Sequence, residues 1–424
     1  MLEINRIREH KDTVIQRLQT RQMDNAAKAV AQLLAIDQQR RSVQVSLEAA
    51  QAELHQLTKQ VEQLLKEDKT AAVAAIRSQS QTLKATIKKL DAELKTEEAA
   101  LQHALYELPN VPHPSVPVGA SASENKIVYQ TEDLGQPTAG NLPHWELAAK
   151  YDIIDFALGS RVAGTGFPVY KGQGAKLQRA LISFFLDEAI RAGYQEIQPP
   201  LLVNQDAAYG TGQLPDKEGQ MYQLLDQKLY LIPTAEVPLT NLYRQQILSQ
   251  ERLPIRNVAY TPCFRREAGS WGKHVKGLNR LHQFDKVELV EIVQPEESYR
   301  AVEAMRSHVE QLLQQLALPY RVVKLCSGDL GFTAAFTYDL EVFSAGQDRW
   351  LEVSSISNFE TYQANRMKLR YRTKSNTLQL LHTLNGSALA LPRVMAALLE
   401  HYQTAEGIGI PPILRPYTGF EYIA

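Results

Sequence analysis

The densest set of side chains suited to catalysis lies in residues 261–293, TPCFRREAGSWGKHVKGLNRLHQFDKVELVEIV. The pattern predicts a strand, a glycine-containing loop and a returning strand. Because side chains two apart in a strand share a face, we expect Arg265 and Glu267 to point together. The same spacing places Phe284, Lys286 and Glu288 on one face of the second strand. Arginine grips phosphate through two donors, a carboxylate accepts from an amine and an aromatic ring stacks on a base, so this face predicts a nucleotide platform. The alternative is a hairpin with ordinary surface ion pairs.

The elements around this segment mix helical and strand periodicities. Residues 175–192 and 297–317 have helical spacing, whereas 228–232, 281–293 and 338–343 alternate with period two. Strand segments that follow each other through hairpin-length loops favour an α+β domain with a largely antiparallel sheet.

The N-terminal quarter has a different pattern, with apolar residues at alternating steps of three and four. One run extends from Leu33 to Leu64 and a second from Val73 to Leu108, separated by the polar sequence KEDKT. Arg40, Ser80 and Glu97 are the polar exceptions. Such runs predict two coiled-coil helices that fold back as an antiparallel hairpin, each arm about 50 Å long. A dimerisation coiled coil is the alternative interpretation.

A proline-rich segment, PNVPHPSVPVG at 109–119, follows the second run. Because proline cannot continue a helix, the hairpin must end there. We therefore predict an arm at residues 1–108, a linker at 109–118 and a core at 119–424.

Composition indicates a soluble globular protein. The chain has 424 residues, 44% hydrophobic and 22% charged, with a net charge of −1 that neither supports nor excludes a nucleic-acid partner. Its two cysteines, Cys263 and Cys326, argue against a disulfide framework. No segment has the ~20 uncharged apolar residues of a membrane span, and the charged N-terminus is unlike a signal peptide. We expect a cytoplasmic location.

FRRE followed by RLHQFDKVEL resembles motif 2 of class II aminoacyl-tRNA synthetases. Residues 175–203 resemble motif 1, the dimer-forming segment, and 382–403 resemble motif 3. Residues 210–224, 233–244 and 351–372 resemble the substrate-loop and ATP-binding segments of the seryl branch. The resemblance covers nearly the whole chain. It implies a class II catalytic core with an antiparallel sheet, behind an N-terminal tRNA-binding coiled-coil arm.

The resemblance also implies roles for individual residues. Arg265 and Arg393 are the expected catalytic residues, holding the α-phosphate and γ-phosphate of ATP. Glu267 is expected to read the adenine amino group and Phe284 to stack on the base. The full expected ATP-binding set is Arg265, Arg266, Glu267, Phe284, Glu352, Val353, Ser354, Ser355 and Arg393.

The expected serine-binding residues are Thr234, Ala235, Glu236, Glu288 and Ser387. Three of them have structural alternatives, since Ser387 could cap the motif 3 helix and Thr234 with Glu236 could form an edge-strand pair.

The resemblance implies Mg²⁺ on Glu352 and Ser355, bound with ATP. We predict no zinc, because no Cys/His/Glu spacing of that kind occurs. The expected partners are serine, ATP, tRNA(Ser) and a second copy of the chain, with tRNA(Sec) a further possible substrate. The arm, with weaker contributions from Lys273 and Lys276, would contact tRNA.

Some residues depart from the family pattern. Phe336 replaces a usual lysine, Ile356 a cysteine, and Ala388 and Pro392 occupy positions where glycines are common. Pro392 fits only if it lies in the first turn of the motif 3 helix. The alternatives to an active ligase are a synthetase-like protein that charges a carrier, or a non-catalytic tRNA-binding relic.

Overall fold

The structure is a computed structural model that describes residues 1–67, 69–134, 142–267 and 275–424, without the side chains of residues 70 and 71. The chain divides into two compact units. One comprises Leu2–Gln19 and Met23–Pro109, and the other comprises Met1, Thr20–Gln22 and Asn110–Ala424.

The first unit is helical. Its helices are α1 (Ile4–Glu9), α2 (Lys11–Thr20), α3 (Ala26–Lys66) and α4 (Thr70–Glu107). The two long helices pack against each other. They reverse direction within the few residues after Lys66, as the polar break predicts. At 1.5 Å per residue, α3 is about 60 Å long.

The heptad positions form the seam between α3 and α4. Leu33, Val43, Leu47 and Leu57 are buried, and the remaining heptad residues of α3 are half-buried or better. One acidic side chain of α3 is also buried. Asp37 is 1% exposed, and its carboxylate lies 3.1 Å from the Arg40 guanidinium and 3.5 Å from that of Arg8 on α1. The polar exception at Arg40 therefore neutralises a buried acid in the arm.

The second unit is α+β, as the sequence predicts. Its helices are α5 (His144–Lys150), α6 (Phe156–Ala163), α7 (Gly172–Arg191), α8 (Gln205–Thr211), α9 (Glu236–Asn241), α10 (Ser298–Gln315), α11 (Tyr362–Met367), α12 (Leu391–His401) and α13 (Arg415–Thr418). Its strands are β1 (Lys126–Gln130), β2 (Ile154–Asp155), β3 (Val169–Tyr170), β4 (Gln195–Glu196), β5 (Leu202–Asn204), β6 (Leu229–Leu231), β7 (Ile247–Ser249), β8 (Ile255–Phe264), β9 (Gln283–Val293), β10 (Tyr320–Lys324), β11 (Phe336–Ser344), β12 (Arg349–Asn358), β13 (Arg370–Arg372), β14 (Leu378–Leu380), β15 (His382–Ala390), β16 (Ile408–Gly409) and β17 (Tyr422–Ile423).

An eight-stranded sheet organises this unit, in the order β1-β10-β11-β12-β15-β9-β8-β4. Every neighbouring pair is antiparallel except β4 and β8, which run parallel. The prediction of a largely antiparallel class II core is confirmed. The sheet also brings β9, β12 and β15 side by side, although they are far apart in the chain.

Helices α7, α10 and α12 cover this sheet and bury the main hydrophobic core. Phe184 and Phe185 of α7 are fully buried there. Burying a side chain of this size contributes about 1.5–3 kcal/mol. The core thus makes the sheet a rigid platform for the residues on its strands.

The proline-rich segment is not a free tether. Helix α4 ends at Glu107, as the prolines predict. The backbone N–H groups of Asn110 and His113 donate to the carbonyls of Phe332 and Ala335, so this segment is ordered within the second unit. Within the described part of the chain, none of the helices combines the length and apolar character needed to cross a membrane.

Candidate active site

A cavity of about 500 Å³ opens where β9, β12, β15 and the start of α12 meet. It collects most of the residues that the sequence singles out. The predicted residues in its lining are Thr234, Glu236, Arg265, Glu267, Phe284, Glu352, Val353, Ser354, Ser355, Ser387 and Arg393.

The other predicted residues lie elsewhere. Ala235 and Glu288 are fully buried behind the cavity wall, and Arg266 does not line it. Lys276 is exposed, with its Nζ atom 4.7 Å from the centre of the Trp145 ring. Lys273 lies outside the described residues.

Arg265 and Phe284 form one end of the cavity. The Arg265 guanidinium lies 5.2 Å from the centre of the Phe284 ring, and its Nε donates to the Pro233 carbonyl at 3.3 Å. A cation and an aromatic face are therefore held next to each other, which suits a phosphate and a base of one nucleotide.

Arg265 and Glu267 do not share a strand face, so that prediction is wrong. Strand β8 ends at Phe264, so neither residue lies in a strand, and Glu267 has a positive φ of 48°. The backbone turns away where a continued strand was expected. Both side chains still reach the cavity, and Glu267 forms an ion pair with Arg280.

Arg393 reaches the cavity from the first turn of α12. Its NH1 donates to the Glu352 carbonyl at 2.7 Å and lies 3.5 Å from the Glu352 carboxylate, while its Nε donates to the Asn279 carbonyl at 3.2 Å. Pro392 lies in the same first turn. No helical N–H is needed there, so a proline is tolerated at this position.

Strand β12 has an irregularity that matters for the predicted metal ligands. Glu352 and Ser355 are three apart and would point to opposite faces of a regular strand. The register with β11 shifts between Leu340 and Glu341, so Glu352 pairs with Glu341 and Ser355 with Asp339. Because 339 and 341 share a face, the bulge places Glu352 and Ser355 on one face as well.

The residues on this face fit Mg²⁺, which prefers hard oxygen donors and usually takes only a few of them from protein. Asp339 Oδ1, buried near them, has no hydrogen-bond partner among the described residues. Burial, followed by the charge of Glu352, raises the pKa of Asp339 well above its ordinary value. A cation would relieve this concentration of negative charge. In the described ranges, no group of three or more His, Cys, Asp or Glu side chains is placed to hold a metal by itself.

Another part of the cavity lining is a buried polar network. Thr234 Oγ1 donates to Glu288 at 3.1 Å and accepts from Lys286 Nζ at 2.9 Å. Lys286 also forms an ion pair with Glu288. The Asn385 amide donates to Glu288 at 2.8 Å and to Glu236 at 3.3 Å. These groups satisfy one another while leaving Thr234, Glu236 and Lys286 at the cavity surface.

Glu236 is the acid in this network whose charged form is destabilised by its surroundings. Burial and the neighbouring charge of Glu288 raise its pKa to about 7, against the opposing effects of Gln363, Lys286 and Arg265. The Gln363 amide donates to Glu236 at 2.6 Å. A buried carboxylate of this kind gains from a cationic ligand, because the ligand supplies the missing positive charge.

Two alternative interpretations are wrong. Ser387 lies inside β15, and α12 begins only at Leu391, so Ser387 does not cap the motif 3 helix. Glu236 is the first residue of α9, so Thr234 and Glu236 are not an edge-strand pair.

The other departures from the family pattern lie behind the cavity. Phe336, Ile356 and Ala388 are buried in the hydrophobic core and do not line the cavity. Phe336 packs edge-on against Tyr338, with Lys324 Nζ 4.9 Å from its ring centre. A neighbouring strand thus supplies a cation next to the position where lysine is usual.

Three further residues contact predicted site residues although no sequence motif predicts a role for them: Asn385, Gln363 and Arg280. Asn385 could have been found, because it is two residues before Ser387 and shares its face. Gln363 comes from α11, and only the tertiary structure brings it to Glu236.

Comparison with known proteins identifies the family of the chain. Residues 1–112 match the family described as "Seryl-tRNA synthetase N-terminal domain", and 221–402 match "tRNA synthetase class II core domain (G, H, P, S and T)". A protein named serine--tRNA ligase from Salinibacter ruber is 48% identical over 100% of this chain and 99% of its own length. Its namesake from Akkermansia muciniphila is 48% identical with the same coverage.

Solved structures are similar throughout their length. The seryl-tRNA synthetase of Pyrococcus horikoshii, complexed with ATP, superposes with a TM-score of 0.92 at 33% identity, covering 100% of this chain and 99% of that one. The Naegleria fowleri cytoplasmic serine-tRNA ligase, in complex with AMP, has a TM-score of 0.86 at 26% identity, covering 100% and 98%. With both domain families present and relatives near half identity over its whole length, the chain belongs to the seryl-tRNA synthetase family.

Proposed function

We propose that this chain is a serine–tRNA ligase, which activates serine with ATP and transfers the seryl group to the 3′-terminal hydroxyl of tRNA(Ser). The observation that carries the proposal is the convergence of Arg265, Phe284, Glu352 and Arg393 on one cavity. These residues are up to 128 positions apart in the chain, from 265 to 393, and no local pattern could have brought them together.

The nucleotide occupies the end formed by Arg265 and Phe284. Phe284 stacks on adenine, and Glu267 accepts from the adenine amino group. The ion pair with Arg280 holds the Glu267 carboxylate in the cavity. Arg265 holds the α-phosphate and the serine carboxylate, and Arg393 holds the γ-phosphate. Glu352 and Ser355 would hold Mg²⁺, which would supply further positive charge at the phosphates.

Serine occupies the polar end. Its ammonium lies against Glu236 and Thr234, where the elevated pKa of Glu236 favours a cationic partner. Its hydroxyl is recognised by Ser387 in the cavity lining, and Glu288, which lies behind the wall, contributes through Thr234. Alanine leaves Ser387 in the cavity lining without this hydroxyl partner, which costs far more than a lost methylene, so the site rejects it.

Activation needs no general base, because the serine carboxylate is already ionised near neutral pH. It attacks the α-phosphorus, and pyrophosphate leaves. The chain contributes position and positive charge: Arg265 and Arg393 approach the phosphates from different elements and stabilise the charge that develops there. In the second step, the tRNA hydroxyl attacks the seryl carbonyl and AMP leaves.

The remaining partners follow from the same proposal. The α3–α4 arm binds tRNA, with Lys273 and Lys276 near the acceptor end, and the protein acts as a cytoplasmic homodimer through the 175–203 segment. The proposed domain limits are 1–108, 109–118 and 119–424. We also propose that the chain loads serine onto tRNA(Sec) by the same two steps.

A charging assay tests this function directly. Purified protein is incubated with ATP, total tRNA and labelled serine, alanine or threonine, and ATP–pyrophosphate exchange is measured in parallel. We expect pyrophosphate exchange and tRNA charging with serine, and neither activity with alanine or threonine. Exchange without charging of tRNA would indicate a carrier-charging enzyme, and folded protein without serine-dependent exchange would indicate a non-catalytic relic. Either result overturns the proposal.

A further inference from the structure

A buried carboxylate lies two helical turns beyond Arg393. Glu400 is on the same helix, α12, seven residues later, and is 0% exposed. Its Oε1 accepts from the His144 backbone N–H at 2.9 Å, from His144 Nδ1 at 2.8 Å and from the Gln347 amide at 3.2 Å. Its Oε2 accepts from the Gly346 N–H at 3.1 Å and from the Ser344 hydroxyl. No role in substrate binding explains this set of partners, because neither Glu400 nor His144 lines the cavity.

The partners of Glu400 determine its charge. Burial alone would raise the pKa of Glu400, but hydrogen bonds from His144 and Ser344 outweigh burial and lower it. The group is therefore a carboxylate at neutral pH, and it requires donors. His144 donates through Nδ1, which leaves its Nε2 as an acceptor.

That acceptor holds the loop that returns from motif 2. The Leu278 backbone N–H donates to His144 Nε2 at 2.8 Å. The approach is close, since a Cβ atom on Gly277 would lie 2.2 Å from Nε2, and Gly277 has a φ of +69°. Glycine at 277 is thus what allows the loop backbone to reach the imidazole.

The anchored segment carries the contacts that orient two predicted nucleotide-binding side chains. Leu278, Asn279 and Arg280 all line the cavity. The Asn279 carbonyl accepts from Arg393 Nε, and Arg280 forms an ion pair with Glu267. The Asn279 amide donates to Gln347 at 2.7 Å, and Gln347 in turn donates to Glu400. Glu400 is therefore connected to the Arg393 contact by two routes, through His144 and through Gln347.

We infer that His144 and Glu400 are positioning residues for ATP: they fix segment 277–280 so that Asn279 orients Arg393 and Arg280 orients Glu267. Neither residue contacts the substrates. The inference rests on the proposed function, because it assigns ATP to this cavity. It predicts that weakening the anchor affects ATP more than serine, since the hydrogen bonds of the Thr234–Glu288 network are made with other residues and involve neither His144 nor the 277–280 segment.

Two substitutions of the same histidine separate its two hydrogen bonds. In His144→Asn, the shorter amide still reaches Glu400 from the Nδ1 position but cannot reach Leu278. In His144→Gln, the amide oxygen reaches the position of Nε2 and can accept from Leu278. We expect KM for ATP, measured by pyrophosphate exchange, to rise about tenfold in His144→Asn, the effect of one positioned hydrogen bond. His144→Gln should recover most of the loss, and KM for serine should stay within about twofold in both.

Controls make the outcome decisive. His308→Asn, on α10 and outside the cavity, should leave both constants unchanged. If His144→Asn does not fold, Gly277→Ala tests the same contact from the loop side and should raise KM for ATP selectively. Absence of exchange in the unsubstituted protein would defeat the proposed function. Normal exchange there, with a folded His144→Asn or Gly277→Ala protein that keeps its KM for ATP or loses ATP and serine equally, would defeat only the positioning role.

Discussion

The helical arm and the cavity are stabilised in opposite ways. In the arm, the seam between α3 and α4 is built from repeated apolar side chains such as Leu33, Val43 and Leu47, and each contributes a similar small amount. In the cavity, Glu236, Lys286 and Glu288 are buried charged groups that cost desolvation energy and are tolerated because they compensate one another. Burial of apolar side chains thus stabilises the arm, whereas the buried charges of the cavity cost stability and supply groups for binding.

The largest effect is expected when one charged side chain is removed from the cavity. We expect Arg265→Ala to lower serine-dependent pyrophosphate exchange about a thousandfold, because one preorganised charge at the reacting phosphate is lost. Arg372→Ala, an exposed arginine on β13, is the matched control and should change exchange less than about twofold. Near-normal exchange by a folded Arg265→Ala protein would contradict the proposed site.

Removing the arm should separate the two activities. Deletion of residues 29–105 takes away most of α3 and α4 and leaves the cavity residues in place. We expect tRNA charging to fall at least about a hundredfold, equivalent to roughly 2.7 kcal/mol of lost binding, while exchange changes little. Unchanged charging by the deletion protein would show that the arm has no part in tRNA binding.

A smaller effect is expected from the aromatic face. Phe284→Ala should raise KM for ATP about tenfold or more, since stacking of a base on an aromatic side chain is worth about 1–3 kcal/mol. KM for serine should stay close to its original value. The control is Phe343→Ala, a ring that packs on Trp350 and does not line the cavity. An equal change in both KM values would indicate collapse of the cavity instead of lost stacking.

The smallest expected effect is a pH dependence of serine binding. The pKa of Glu236 is raised to about 7, so it is a carboxylate above that pH and neutral below it. Only the carboxylate attracts the serine ammonium. KM for serine should therefore rise up to about tenfold as the pH falls from 8 to 6, with KM for ATP much less affected. Glu236→Gln should flatten the profile, and a flat profile in the unsubstituted protein would argue against an ammonium contact at Glu236.

The Glu236 carboxyl also affects the stability of the fold. Serine binding favours its charged form, whereas folding favours its neutral form. Because the folded-state pKa is above the ordinary value of 4.5, folding favours the protonated acid. This contribution is fully present below about pH 4.5 and is lost as the pH rises through about 7. At pH 8, Glu236→Gln should therefore raise the melting temperature relative to the unsubstituted protein, even though it weakens serine binding. The stability cost of the buried charge would then be visible directly.

Local patterns predicted the arm well because its contacts are local in type. Heptad spacing selects which side chains of α3 and α4 are buried, and the prolines after Leu108 end the helix by removing donors and blocking φ. Even there, the buried Asp37 with its partner Arg40 does not follow from apolar spacing alone.

The residue types of the cavity were predicted better than its backbone geometry. Motif resemblance pointed to the residue types, and most of them converge as expected. The prediction that Arg265 and Glu267 share a strand face was wrong, because β8 ends at Phe264. Strand periodicity does not predict the bulge at β12 either, since the register shift depends on pairing with β11.

By itself, the amino-acid sequence determined the helical arm, the position where it ends, the α+β character of the remainder and the residue types available for catalysis. These depend on periodicity, proline and side-chain chemistry, which are properties of short stretches. Only the tertiary structure decided which charges share a dielectric environment, that Gln363 and Asn385 reach Glu236, and that Glu400 supports the loop beside Arg393. Those contacts join residues far apart in the chain, and their energies depend on burial and distance, which exist only after the strands have paired.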